Sequence, residues 1–187
     1  MSGHPQVDVP TGQSGDWRVV KDRPPAISIL RSNMKGRAVS NREYTRLLRN
    51  GTPVIMDTEA EYRDLVPLIY HLGHAPRILL AGLGLGYALM LAAQRDDVEH
   101  VTVVEKSPDV IRLVWPHWKE RFGDKITLVE ADILTWTPPR GSRWELIWFD
   151  IWDNICSDNL PQMKALKKKF ARRAGVRLCW AENQIRR

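Results

Sequence analysis

Cysteine is nearly missing from this 187-residue chain: only Cys156 and Cys179 are present, and the five histidines are scattered. Two isolated cysteines exclude a disulfide framework and suit a reducing, cytoplasmic setting. No HxxxH pair and no His/Cys cluster occurs, so no protein metal site is expected. No apolar run reaches the roughly eighteen residues of a membrane span. The N-terminus is polar and lacks the apolar region of a signal peptide. No Gly-Lys-Ser or Gly-Lys-Thr follows a glycine loop, which excludes a Walker loop.

What is present is an uneven charge. The net charge is +6, yet the first 153 residues hold nineteen bases and twenty acids. From Asn154 onward there are nine Lys/Arg against two Asp/Glu. The surplus is concentrated in Lys164-Ala165-Leu166-Lys167-Lys168-Lys169 with Arg172-Arg173. Such a run is commonly a solvated helix face. It can also track a phosphate backbone, so a nucleic-acid partner stays open.

Residues 1–16 are rich in Gly, Pro, Ser and Gln without periodicity and are expected as a disordered arm. Residues 17–57 are expected as a small β region. Short strands fall at Trp17–Val20 and Ala26–Leu30, and a hairpin at Tyr44–Met56 turns at Asn50-Gly51. Residues 58–187 form the main domain. Its first helix begins at Thr58, with Glu61 at capping-box spacing and Leu65, Leu68, Ile69 and Leu72 on one face; Pro67 weakens its middle.

The chain is organised around Arg77–Tyr87, RILLAGLGLGY. An apolar strand stops at Gly82, Gly84 and Gly86, and an apolar helical pattern follows from Tyr87 to Ala93. Glycine there accepts positive φ and lets a ligand lie on the backbone. The next strand, Val101–Val104, ends in Glu105, placed to bind ribose hydroxyls. Ser107-Pro108 opens a helix to about Phe122. A third strand, Ile126–Val129, leads to Asp132, and a fourth, Trp144–Phe149, to Asp150. A basic helix at Leu160–Ala174 and a fifth strand at Val176–Trp180 complete the pattern. Strand–helix alternation predicts a mostly parallel sheet with helices on both faces. Glycines or acids then stand at four successive strand tips, the edge where open α/β sheets bind ligands. A dinucleotide site fits poorly, because Tyr87 and Leu89 stand where the fingerprint needs a small residue.

This order of motifs resembles the class I S-adenosylmethionine-dependent methyltransferases over roughly residues 77–153. It is nearest the spermidine-synthase-like branch, since Leu80 replaces the acid most methyltransferases carry before the glycines. The lead-in Thr58-Glu59-Ala60-Glu61-Tyr62 and the segment Phe149-Asp150-Ile151-Trp152-Asp153 also look like that branch. The resemblance implies a Rossmann-like methyltransferase fold, trimmed at its C-terminus, that binds S-adenosylmethionine. Gly82, Leu83, Gly84 and Gly86 would face the cofactor's methionine and ribose. Glu105 would take the ribose hydroxyls, and Lys106 would lie near the adenine plane. Asp132 would accept from the adenine amino group, with Ile133 packed on the ring; a helix-cap role for Asp132 competes. Asp150 and Asp153 would be catalytic, with Asp150 beside the reacting centre as well as the cofactor.

The branch's aminopropyltransferases carry an acid where this chain has Leu85, which argues for methyl over aminopropyl transfer. Thirty-four residues follow Asp153, room for one further strand, so the sheet is expected to be short or completed by a second copy. A catalytically silent cofactor-binding module with a nucleic-acid- or partner-docking tail is the remaining alternative.

Overall fold

Apolar runs alternating with helical patterns build a five-stranded, all-parallel sheet in this computed structural model, which describes residues 4–34, 36–37 and 39–186. In chain order the elements are β1 (Gly12–Ser14), β2 (Trp17–Asp22), α1 (Ala26–Met34), β3 (Tyr44–Arg49) and β4 (Thr52–Met56). Then come α2 (Glu59–Asp64), α3 (Val66–Leu72), β5 (Arg77–Ala81), α4 (Tyr87–Ala93), β6 (His100–Glu105) and α5 (Pro108–Phe122). The last are β7 (Ile126–Glu130), β8 (Trp144–Phe149), α6 (Leu160–Lys169), β9 (Ala174–Cys179) and α7 (Glu182–Ile185). The parallel sheet runs β7-β6-β5-β8-β9, so the strand order reverses between β5 and β8. Ligands bind outside the carboxyl ends of strands at such a switch point.

Alternate residues of the central strands feed two cores. Ile78, Leu80, Val101, Val103, Leu146 and Trp148 pack with Leu68, Leu89, Val114 and Trp118 from α3, α4 and α5. Leu79, Ala81, Val104, Ile147 and Phe149 pack with Met163, Leu166 and Phe170 on the other face. Trp144 and Trp148, four apart, share a strand but not a core: Trp144 packs with Trp136 on the second face, its indole N–H donating to Thr102 Oγ1 at 3.3 Å. No helix among the described residues is long and apolar enough to cross a membrane.

The N-terminal β region is a four-stranded antiparallel sheet ordered β1-β2-β3-β4. Asn50 and Gly51 both take positive φ, as the tight β3–β4 turn requires. Pro53 sits on β4, an edge strand, where its missing N–H costs no ladder bond.

Several expectations change. Of the arm expected as disordered at residues 1–16, residues 1–3 lie outside the described residues, and residues 4–16 lie against the core: Val7 and Val9 are buried and Gly12–Ser14 pair with β2. The buried Asp57 carboxylate holds this arm, accepting from Val7 N–H at 3.1 Å and Thr45 N–H at 2.9 Å. The expected strand at Ala26–Leu30 is α1, a helix that buries none of its residues. The expected single helix from Thr58 is two. Thr58 Oγ1 accepts from Glu61 N–H at 3.2 Å, but the chain breaks at Leu65 and Pro67 falls in the first turn of α3. The basic helix stops at Lys169, and β9 starts at Ala174. The predicted fifth strand is present and parallel.

Candidate functional site

A cavity of about 770 Å³ opens at the carboxyl ends of β5, β6, β7 and β8. It is large enough for a nucleoside-sized ligand. Gly82, Leu83, Gly84, Glu105, Lys106, Asp132, Ile133, Asp150 and Asp153 all line it, so the strand-tip residues picked out in the sequence converge. Trp17, Arg49, Pro53, Val54 and Ile55 of the antiparallel sheet roof it.

The glycines have different reasons to be glycine. Gly82 has φ +100, and a Cβ there would stand 2.0 Å from the Asp150 carbonyl oxygen. Asp150 N–H in turn donates to Ala81 O at 2.8 Å, so the ends of β5 and β8 are locked at the switch point. A Cβ on Gly84, at φ +51, would meet only Ile55 at 3.6 Å, which leaves its cavity side open to a ligand. Gly84 N–H makes no hydrogen bond among the described residues. Gly86 is a correction. It does not line the cavity, its N–H donates to Leu83 O at 2.7 Å, and a Cβ would lie 2.0 Å from Trp118 Nε1. Its glycine is required by packing. The Gly82 amide is also occupied, donating to Val104 O at 2.9 Å.

Glu105 shapes the turn. Its Oε2 accepts from Leu83 N–H and its Oε1 from Ser107 N–H, both at 2.8 Å. Each carboxylate oxygen keeps a second lone pair for an incoming hydroxyl. Asp132 Oδ1 accepts from Leu134 N–H at 2.9 Å, closing its own turn and leaving Oδ2 for a donor. Ile133 is buried beside it and Lys106 is exposed at the rim.

Sequence reasoning missed the acid cluster across the cavity. Glu61 lines it with Asp64 behind, and Arg37 spans the pair, 2.7 Å from Glu61 Oε1 and 2.7 Å from Asp64 Oδ2. Gln184 donates to Asp64 Oδ1 at 2.7 Å. Burial pushes Asp150 up to about 7, and the charges of Glu61 and Asp64 add to the rise. The Trp148 indole N–H acts the other way, favouring the carboxylate. Burial likewise raises Glu61 to about 7 against the pull of Arg37. A carboxyl near 7 can hold or take up a proton at neutral pH. Glu61 was legible as a capping residue and as part of the lead-in segment, not as a cavity acid, and nothing in the sequence marks Arg37.

Asp153 is half exposed and paired with Arg49, whose guanidinium also lies 5.3 Å from the Trp17 ring centre. Trp152 lines the mouth, its indole N–H donating to Gln162 at 2.6 Å. Leu85 is fully buried and its carbonyl accepts from Trp118, so no side chain enters the cavity from that position.

No protein-family profile and no curated protein matches this sequence. Solved structures do match. Spermidine synthase from Thermotoga maritima aligns with 89% of this chain and 52% of its own, at TM-score 0.53 and 14% identity. The N-terminal domain of EvdMO1, solved in the presence of SAH and D-fucose, aligns with 70% of this chain and 54% of its own, at TM-score 0.50 and 18% identity. The N-methyltransferase NodS from Bradyrhizobium japonicum, in complex with S-adenosylhomocysteine, aligns over 62% of this chain and 57% of its own, at TM-score 0.46 and 16% identity. The chain thus spans between half and three fifths of the length of these structures. What the likeness shows is the fold.

Proposed function

We propose that this chain, built on the Rossmann-like fold of the S-adenosylmethionine-dependent methyltransferases and spermidine synthase, is an S-adenosylmethionine-dependent transferase, most simply a methyltransferase. The observation that carries the reading is the convergence of the glycine turn, Glu105, Asp132 and Asp150 on one cavity at the sheet's switch point. The residues fit the cofactor. Gly84 leaves room against the backbone, Glu105 and Asp132 offer acceptors, and Ile133 supplies an apolar wall. Asp150, when ionised, adds a carboxylate to the same cavity, which suits a sulfonium.

When bound, S-adenosylmethionine supplies an electrophilic methyl carbon. The protein's own part is positioning and proton handling. Asp150 is set to accept the proton that an acceptor amine or hydroxyl gives up as its lone pair forms the new bond to carbon. Pro53, Val54, Ile55 and Trp152 give that side of the cavity an apolar lining.

A second reading is aminopropyl transfer from decarboxylated S-adenosylmethionine. The acids Glu61, Asp64 and Asp150 favour it, since together they suit a diamine acceptor; the buried Leu85 opposes it. Incubation with either cofactor and a set of amines, followed by mass spectrometry, separates the two. S-adenosylhomocysteine formed with a methylated amine supports the first reading, and methylthioadenosine with a lengthened amine supports the second. Neither product from any acceptor, with cofactor bound, would make the chain a silent binding module.

A further inference from the structure

The amino ends of β5, β8 and β9 carry a second, quite different site. An open groove of about 470 Å³ runs between them, lined by Arg77, Arg143, Trp144, Glu145, Arg172 and Arg173. It lies one strand length, roughly 17–20 Å, from the cavity described above. Four guanidiniums face a single carboxylate, and that carboxylate, Glu145, is already paired with Arg77 at 2.7 Å.

Two of the four arginines, Arg143 and Arg173, are held in place by backbone. Arg173 donates from NH1 to Pro139 O at 3.0 Å and Ser142 O at 3.1 Å. Arg143 donates to Arg172 O at 3.0 Å, and Trp144 N–H to Arg173 O at 2.9 Å. These bonds leave the outer edges of both guanidiniums unspent. Arg172 is exposed and its side chain makes no hydrogen bond or ion pair among the described residues. A pre-set guanidinium fork matches phosphate oxygens better than a lysine ammonium does. The lysines of the basic run are, by contrast, partly consumed: Lys169 donates to Ile133 O and Leu134 O, and Lys167 pairs with Glu182.

We propose that this groove binds nucleic acid through its phosphodiester backbone, without reading bases. Several forks spread along an open groove suit a row of phosphates better than a single anion. Base stacking is not provided, because the groove's one aromatic residue, Trp144, is buried with its indole turned inward to Thr102. A membrane surface fits less well. Interfacial binding needs apolar side chains beside the charges, and the exposed large apolar residues Ile27, Leu30, Met34, Val66, Tyr70 and Ile155 all lie outside the groove.

The test is fluorescence anisotropy of short labelled single-stranded RNA and duplex DNA with the full chain, Arg172→Glu, Arg143→Gln and Lys164→Glu. The last makes the same charge change as Arg172→Glu on α6 outside the groove. With Arg77 taken by Glu145, a groove meeting about three phosphates loses roughly 20- to 40-fold in affinity between about 50 and about 200 mM salt. Each arginine variant should flatten that salt slope by roughly one contact, while Lys164→Glu leaves it unchanged. Thermal melting of each variant keeps misfolding apart from lost contacts. No oligonucleotide binding at low salt overturns the proposal. So does equal weakening by Lys164→Glu, which would mean attraction to net charge alone. Binding only to vesicles containing anionic lipid overturns it too.

Discussion

Glu105 Oε2 accepts a hydrogen bond from Leu83 N–H at 2.8 Å, tying the tip of β6 to the glycine turn that follows β5. One carboxylate therefore shapes the turn and faces the cavity. Glu105→Gln can accept from only one of the two amides, Leu83 N–H or Ser107 N–H, and turns an NH₂ toward the other, where an acceptor is needed. A lost charge-assisted bond is worth roughly 1.5–3 kcal/mol, about 10- to 100-fold in affinity. Titration of the variant should show that loss for S-adenosylmethionine, with a smaller change in melting temperature than Glu105→Ala, which strips partners from both amides where Glu105→Gln strips one.

Gly84 and Gly86 should separate under the same substitution. Gly86→Ala combines positive φ with a collision against Trp118 and should destabilise by about 3 kcal/mol. Gly84→Ala meets only Ile55, at ordinary contact distance, and should cost about 1 kcal/mol in folding while blocking the ligand's approach to the backbone. Denaturant melts and cofactor titration on both variants check this. Equal loss of stability would contradict it.

Asp150 gives a pH dependence with a fixed sign. Its folded value, pushed up to about 7, lies above the roughly 3.9 of a free carboxyl. Between the two the folded chain keeps a proton that the unfolded chain has released, so stability is lost as pH rises through that window. Glu61, raised to about 7, acts in the same direction. Melting temperature should fall from about pH 5 to about pH 8, and less steeply in Asp150→Asn. With Asp150 as base, kcat/KM should rise over the same window and inflect near its folded value. An inflection that survives in Asp150→Asn would place the base elsewhere.

Arg37 compensates two carboxylates at once. It is a quarter exposed, so the loss on Arg37→Ala is screened below that of a buried pair, to about 2 kcal/mol. The loss should be larger at about pH 8 than at about pH 6, since Glu61 then carries its charge without a partner. Denaturation at the two pH values, with Arg37→Lys as the conservative control, measures it.

The parallel sheet and its site were largely legible because each signal was local. Apolar runs ended in Gly82, Glu105 and Asp150, and Ser107-Pro108 opened α5 where expected. What escaped depends on distant partners. Residues 4–16 show no local pattern; the arm is held by distant partners, among them the Asp57 carboxylate, fifty residues from Val7, and the Tyr87 hydroxyl, which donates to Pro5 O. Gly86 looked like its two neighbours until Trp118 from α5 was seen against it. Arg37 has no local pattern. It matters because the chain folds it back onto α2, a long-range contact that periodicity does not encode.

The central claim is that the cavity takes S-adenosylmethionine, and calorimetric titration tests it most directly. The purified chain should bind S-adenosylmethionine and S-adenosylhomocysteine one to one, bind NAD far more weakly, and bind both adenosyl ligands about 10- to 100-fold more weakly in Glu105→Gln while still folded. No heat with either adenosyl ligand, or equal binding by the Glu105→Gln chain, would contradict the account.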